Sequence, residues 1–406
     1  MIAGRDILVL SDDPEGLPSS TQHLFRYLGP HNRIFWLNVL NRLPGPSWDD
    51  AWKIARVSAG WLRRRRMPRG QQPPRPRTAP YAYAGTPPII PWFKPAVRRW
   101  NGAVLGRHYR RLVRQYDIRD AIVFTTYPST VDFVRDVSAA AKVYCCVDEW
   151  SQYPGLNAAD FRRMEDELLG CVDGFAATSP DLMDKGRRCP AALYLPHGVD
   201  FSHFQGDPGG ARSIAELAGL PRPIVGFFGL IAPWVDLELV AHLSRRFPNV
   251  SFVLLGKVEA NLAPLARCAN VHCLGLVPYR ELPNYARYFD VGLIPFVRNE
   301  LTEAVNPLKL LEYFALGLPV LATRVRALEG REGPLRLATT RDEFCEQLAA
   351  LLTAPASFVA EAREVARRNT WERRAEQLSE FLLNLPSRGS SAITTEHTLS
   401  CPEFCT

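Results

Sequence analysis

The sequence predicts an α/β protein of two parallel-sheet domains facing each other across a cleft. Three observations carry that prediction. Its 406 residues exceed what one compact core accommodates, and 47% of them are apolar. Short β-rich apolar runs alternate with amphipathic stretches in two separate series. Between the series, from Val199 to Pro223, the apolar periodicity lapses, and Gly206, Pro208, Gly209, Gly210, Pro221 and Pro223 mark a linker.

In the first series DILVLS (Asp6 to Ser11) opens as a strand, SSTQHLFRYLG follows as a helix with a Ser at its N-cap, and RIFWLNV (Arg33 to Val39) is the second strand. A long helix is expected from Pro95 to Tyr116, then strands in AIVFTTYPS, KVYCCVDE, GFAATS and ALYLPHG. The second series has strands in IVGFFGLI, SFVLLGK, VHCLGLV, VGLIPF, PVLATRV and PLRLAT. Its helices lie in LELVAHLSRRF, ELPNYARYF, NPLKLLEYFALG and TRDEFCEQLAALL. The expected plan is a first Rossmann-like domain over 1–200, a linker over 201–222 and a second over 223–370. SFVAEAREVARRNTWERRAEQLSEFLLNL reads as one helical segment whose end, 371–386, packs back on the first domain. The Ser/Thr-rich residues 387–406 are expected to be disordered.

No run reaches the ~18 apolar residues of a membrane span, and the start of the chain lacks a secretory pattern, so a cytoplasmic protein is expected. The nine cysteines include no Cys-x-x-Cys pair and no His at metal-ligand spacing, which fits reduced, mostly buried thiols and no structural zinc. Charge is unevenly spread. From Ala51 through Tyr116 there are 16 Lys and Arg and no Asp or Glu, so the rest of the +7 chain is net acidic. This Pro-rich excursion, 51–116, includes Arg63 to Arg66 and interleaves Trp52, Trp61, Tyr81, Tyr83, Trp92, Phe93 and Trp100. It reads as a solvated basic loop or as a surface for anionic lipid; it resembles no nucleic-acid-binding module, and no nucleic-acid partner is expected.

The most informative segment runs from Asn306 to Thr323, NPLKLLEYFALGLPVLAT. Asn306 suits an N-cap, Pro307 the first helical position, and Gly317 the helix end before a strand. The open N–H groups of such a first turn attract anions. Lys309 and Glu312, one turn apart, share a face: a cation beside the anion site and a carboxylate able to grip vicinal hydroxyls, which is what a nucleoside diphosphate needs. The alternative is an ordinary surface pair, but Leu308, Leu310, Leu311, Phe314 and Leu316 leave the helix little room to face solvent. Asp148 and Glu149 end the apolar run VYCCV, where a cleft-facing carboxylate can orient or deprotonate an acceptor hydroxyl; a helix cap or an Arg bridge is the other reading. Ser19 and Ser20 end a loop that could touch phosphate or acceptor, and His197 in PHGVD reads as a turn residue rather than a catalyst.

These segments together resemble the GT-B glycosyltransferases of glycosyltransferase family 4 and its family 1-like relatives, which build bacterial surface polysaccharides and include teichuronic-acid-type enzymes. The resemblance spans nearly the whole chain. It rests on VYCCVDE (143–149), ATS (177–179), LPHGVD (195–200), VGFFG (225–229), the Trp234–Asp236 loop, LGLVPY (274–279), FDVGLIPF (289–296) and above all residues 306–323. It implies a nucleotide-sugar donor held mainly by the second domain, and a lipid-linked or oligosaccharide acceptor. Glu312 matches the second glutamate of the family's paired-glutamate motif, which binds the donor ribose; Asp148 is favoured over Glu149 as the catalytic carboxylate.

Two departures stand out. The first motif glutamate is replaced by Ala304, leaving its role to Glu303 or Glu300. The usual Arg and Lys after the second domain's first strand are missing from Gly229-Leu-Ile-Ala-Pro-Trp-Val-Asp236. Donor phosphates are then expected at Gly229 and the Asn306-Pro307-Leu308 turn, with Lys309 and either Arg298 or Lys257. No cofactor and no essential metal are expected, and the enzyme is placed on the cytoplasmic membrane face. A non-catalytic scaffold of polysaccharide assembly, or an epimerase or phosphorylase on the same fold, are the competing functions.

Overall fold

A computed structural model describes residues 1–16, 18–39, 81–153, 155–205, 214–353 and 357–386. The 51–80 part of the basic excursion and the expected disordered tail, 387–406, lie outside the described residues. Seven strands form the first sheet: β1 (Asp6–Ser11), β2 (Arg33–Asn38), β3 (Tyr83–Gly85), β4 (Ile122–Thr125), β5 (Ala141–Cys146), β6 (Gly174–Ala177) and β7 (Ala192–Tyr194). They lie in the order β3-β2-β1-β4-β5-β6-β7. The second sheet, β10-β9-β8-β11-β12-β13, is built from β8 (Ile224–Phe228), β9 (Ser251–Leu255), β10 (Val271–Gly275), β11 (Val291–Ile294), β12 (Val320–Thr323) and β13 (Leu335–Ala338). Every strand pair in both sheets is parallel.

A parallel sheet covered by helices buries both faces of its inner strands, which explains the unbroken apolar runs. β1, β4, β5, β6 and β8 are buried along their whole length. Strand order reverses beside β1 in the first sheet and beside β8 in the second. At such a switch point two loops diverge and leave a crevice beyond the strands' carboxyl ends, where ligands of open α/β sheets sit. The residues following β8 and β11 therefore locate the site.

The chain crosses between the domains twice, and the two crossings are tied together. Val199 donates its N–H to Asn369 O at 3.0 Å and accepts from the Trp371 N–H at 3.2 Å. Gly198 lies so close to the Thr370 backbone that a Cβ would clash. The expected single C-terminal helix is accordingly two helices, Ser357–Arg368 and Trp371–Leu383, broken where the second crossing occurs and restarted by Thr370, whose side chain caps the latter. Trp371, Ala375, Leu378 and Leu382 of that last helix pack with Ile2, Leu24 and Phe25 of the first domain.

The linker region holds two short helices, Phe201–Gln205 and Ala215–Ala218, on either side of residues outside the description.

Candidate active site

β8 ends at Phe228, and Gly229 turns the chain with φ of 129°, a left-handed-side conformation that disfavours any side chain. A Cβ there would also collide with Lys309 Cε and Nζ, so the lysine lies directly against this backbone. Gly256, after β9, packs in turn on the Gly229 carbonyl and needs glycine for the same reason. The Lys309–Leu316 helix is held over these strand ends by Tyr313, whose buried hydroxyl lies 3.1 Å from Gly226 O and accepts the Phe228 N–H at 3.2 Å. Gly292 of β11 faces the same ring. Tyr313 was not singled out from the sequence, because an aromatic within a helical apolar stripe reads as ordinary core. Gly317, with φ of 85°, ends the helix as expected.

Lys309 and Glu312 are both half-buried in the first turn of this helix. Lys309 Nζ lies 5.2 Å from the Phe227 ring centre and 5.7 Å from that of Phe296, and makes no hydrogen bond or ion pair among the described residues. Burial depresses its pKa, partly offset by Glu312. Burial also pushes the Glu312 carboxyl up to about 7, against the pull of Lys309. Tyr279, beyond β10, is raised by burial and by the nearby Glu312 charge. The pair thus combines a cation and a carboxylate that are desolvated but not joined, beside the half-buried backbone of Gly229 at the switch point.

The turn before the helix differs from expectation. Asn306 is not an N-cap and Pro307 is not the first helical residue: the helix starts at Lys309 after Leu308, with no side-chain cap. The Asn306 amide instead crosses the cleft and donates to Thr178 O at 2.9 Å. Ala304 is buried within a first-domain core cluster, and Leu308 packs against another. Three neighbouring positions therefore dock on the first domain, and docking competes with capping for the same amide. Ala304 supplies the small apolar surface this contact requires, where a glutamate would bury an unpaired charge.

Beyond Ala304 lies a cavity of about 860 Å³ between the domains, lined by Glu149, Glu165 and Lys185 on one side and Arg298, Glu300, Glu303 and Arg326 on the other. Its lining follows β11 and β12 and does not include Lys309 or Glu312, which lie by the end of β8. Arg298 donates to Glu303 at 3.1 Å, and Glu303 also accepts the Arg326 N–H at 3.1 Å. Arg326 in turn bridges to Asp181 of the first domain at 3.0 Å. Of the two carboxylates considered for the missing glutamate, Glu303 is thus committed to local structure, while the exposed Glu300 side chain has no hydrogen bond among the described residues. Lys257 pairs with Glu259 at 2.6 Å in the loop after β9.

On the first domain, Asp148 and Glu149 follow β5 and are half-buried. The Asp148 carbonyl accepts the Trp150 N–H at 3.1 Å. Glu149 takes the capping and bridging alternative: one oxygen accepts from the Ser151 hydroxyl at 2.7 Å, and the other meets Lys185 Nζ at 2.7 Å. Burial alone would raise its pKa, but Lys185 and Ser151 outweigh it and hold the carboxyl low. Lys185 also binds Glu165 at 2.8 Å, and Glu165 accepts from the Tyr144 hydroxyl at 2.6 Å.

Ser19 caps the Ser20–Leu28 helix in a reciprocal box with Gln22 and donates to Asp12 at 3.1 Å. Ser20 lies 2.9 Å from Nδ1 of His197, which is buried, with a pKa pushed down to about 3 chiefly by burial. On the same helix His23 stacks on Trp371 and stands 5.8 Å from Tyr279, the tyrosine raised in part by the Glu312 charge.

Residues 222–354 match the family model described as glycosyl transferases group 1. The matched stretch falls on the second domain. A putative teichuronic acid biosynthesis glycosyltransferase, TuaH of Bacillus subtilis, is 29% identical over 145 residues, 34% of this chain and 36% of that one. The chain thus matches about a third of the length of this curated relative. Among solved structures, sucrose-phosphate synthase from Thermosynechococcus elongatus superposes with a TM-score of 0.69 at 16% identity, over 93% of this chain and 98% of the other. Anabaena HepE in complex with UDP and glucose gives 0.65 at 14% identity, over 93% and 99%. The two domains and the cleft between them form the GT-B fold. Gly229, Lys309 and Glu312 all fall within the matched residues.

Proposed function

We propose that the chain is a glycosyltransferase that moves a sugar from a nucleoside-diphosphate sugar to a lipid-linked or oligosaccharide acceptor in surface-polysaccharide assembly. The observation that carries this reading is the unjoined Lys309 and Glu312 pair beside Gly229 at the switch point of a group 1 domain. Lys309 faces the donor diphosphate and neutralises charge that grows there as the bond to the sugar breaks. Glu312 accepts hydrogen bonds from the ribose hydroxyls, which favour its ionised form. Gly229 admits the phosphates close to backbone, and Pro307, Leu308 and Asn306 shape the turn above them, Asn306 through its bridge to Thr178. The acceptor enters by the interdomain cavity, where Arg298 and Glu300 line one wall. The acceptor oxygen forms the new bond to the sugar's anomeric carbon as the diphosphate leaves, and the hydroxyl proton passes to Asp148. Glu149 serves as a structural cap beside it. The teichuronic acid relative and the UDP and glucose named with Anabaena HepE support the donor and acceptor classes.

No metal is assigned to this step, and turnover is expected to survive chelator. Among the described residues no cluster of three or more His, Cys, Asp or Glu is arranged to hold one. The test is release of nucleoside diphosphate from a panel of nucleotide sugars with and without EDTA. Asp148→Asn should lower turnover ~10²-fold or more with donor affinity kept. Absence of any release across the panel would favour a scaffold, for which Ala304 in place of a sugar-binding glutamate is the motivating feature.

A further inference from the structure

The Pro95–Tyr116 helix is attached to the protein along one side only. Arg98 on that side binds Asp132 at 2.9 Å and Glu167 at 2.6 Å, with Asn101, Leu105, Tyr109 and Leu112 buried beneath. On the other side Arg99, Trp100, Arg107, Arg110, Arg111 and Arg114 are exposed, and at 3.6 residues per turn they fall within about a third of the helix circumference, in one stripe. Among the described residues none of these five arginine side chains has a hydrogen bond or ion pair, whereas Arg135, Arg163 and Arg187 of the same domain each meet a carboxylate. Trp100 is 52% exposed, and Trp92, just before the helix, 49%. These are the exposed tryptophans among the described residues, and both stand with the arginine stripe. An uncompensated cationic face with indoles at one end matches an anionic lipid surface: arginine supplies long-range attraction, and indole settles among headgroups.

The placement matters as much as the charge. Trp92 and Trp100 lie at the start of the helix, where Phe93 packs edge-on against Phe161, ring centres 4.8 Å apart. Phe161 belongs to the Ala158–Leu169 helix, whose Arg162, Glu165 and Asp166 line the interdomain cavity. The tryptophan end of the stripe is thus one helix away from the cavity. Among the described residues no helix is long and apolar enough to cross a membrane, so contact would be peripheral. We propose that this face docks the protein on an anionic membrane surface and that a lipid-borne acceptor reaches the cavity from there; the second half rests on the glycosyltransferase reading, the first does not.

The test is sedimentation of the full chain with phosphatidylcholine vesicles, with and without phosphatidylglycerol, beside a DNA gel shift. Binding should require the anionic lipid and fade as salt shortens the Debye length from ~10 Å at 0.1 M to ~3 Å at 1 M. Combined Arg107, Arg110, Arg111 and Arg114→Ser should lower partition at least ~10-fold, and Trp92→Ala with Trp100→Ala should lower it further at high salt. Both variants should keep wild-type melting and nucleoside-diphosphate affinity, since these side chains touch neither core nor cleft. Vesicle binding unchanged in the four-arginine variant, or lost only when Arg63 to Arg66 are changed to Ser, would overturn the assignment. So would DNA retardation without vesicle binding. Vesicle binding without nucleoside-diphosphate affinity would leave the docking face standing and sink the catalytic reading instead.

Discussion

Both sides of the cleft present lysine and glutamate at the ends of parallel strands, and the two groups behave in opposite ways. On the first domain Lys185 touches Glu149 and Glu165 at 2.7 and 2.8 Å, and burial is outweighed by these contacts: Glu149 is held low and Lys185 is raised. On the second domain Lys309 and Glu312 are one helical turn apart without contact, and burial wins: the lysine is depressed and the carboxyl raised. A network whose charges satisfy one another has little left to offer a ligand, and its work is structural. A desolvated pair that stays apart is costly unless something else completes it, and the completing group must bring negative charge to the lysine and hydroxyl donors to the carboxylate.

The sharpest contrast is expected in stability. Lys185→Met would leave Glu149 and Glu165 buried without their shared cation, a loss of about 3 kcal/mol in chemical denaturation. Lys309→Met removes a depressed, uncompensated cation and should leave stability near or above wild type. Equal destabilisation by both changes would show that the two clusters are alike and that the comparison fails.

Ligand affinity should show the reverse. Glu312→Gln keeps shape but removes the charged acceptor for the ribose, and nucleoside-diphosphate affinity should fall by ~1.5–3 kcal/mol. Glu149→Gln, assayed where it is folded, should leave that affinity within about 0.5 kcal/mol. Lys309→Ala should weaken the diphosphate while sparing the nucleoside, because only the former presents charge. Equal losses for both ligands in a titration would make the lysine merely structural.

The smallest effects are those of pH. Glu312 has a folded-state pKa above its ordinary value, so the stability it withholds at neutral pH returns as pH falls from about 7 through the unfolded carboxylate range. Glu149, held below its ordinary value, contributes stability that persists at neutral pH and is lost as pH falls through its depressed pKa. Buried His197 and His23, held down to about 3 and about 4, lose stability over the same range in both proteins; mild acid should therefore lower the melting temperature less in wild type than in Glu312→Gln, and strong acid should lower it in both.

Much of this was legible in the sequence for physical reasons. Parallel strands buried on both faces announce themselves as apolar runs, and all thirteen strands lie in segments so marked except the three-residue β3, which is too short to give a pattern. The closeness of Gly229 and Lys309 was legible from their place between strand and helix. What sequence could not reveal were contacts between distant segments. Asn306 looks like a cap because capping is a local bond, yet its amide is drawn to Thr178, more than a hundred residues earlier. Glu149 looks catalytic at a strand end until Lys185 is placed against it. The break at Asn369 and Thr370 follows from hydrogen bonds to Val199, which no helical periodicity records.

The central claim, that the unjoined pair on the second domain is the nucleoside-diphosphate site, is tested most directly by calorimetric titration of wild type and Glu312→Gln. The tightest-binding member of a nucleoside-diphosphate panel would serve as ligand, at about pH 6 and about pH 8, either side of the Glu312 value. Both proteins share the ligand's own titration, so the difference between them isolates the carboxylate. The account predicts that wild type binds more tightly at the higher pH by a margin the variant lacks, and that the variant is ~10-fold or more weaker there. Equal affinity of the two proteins at the higher pH would contradict it.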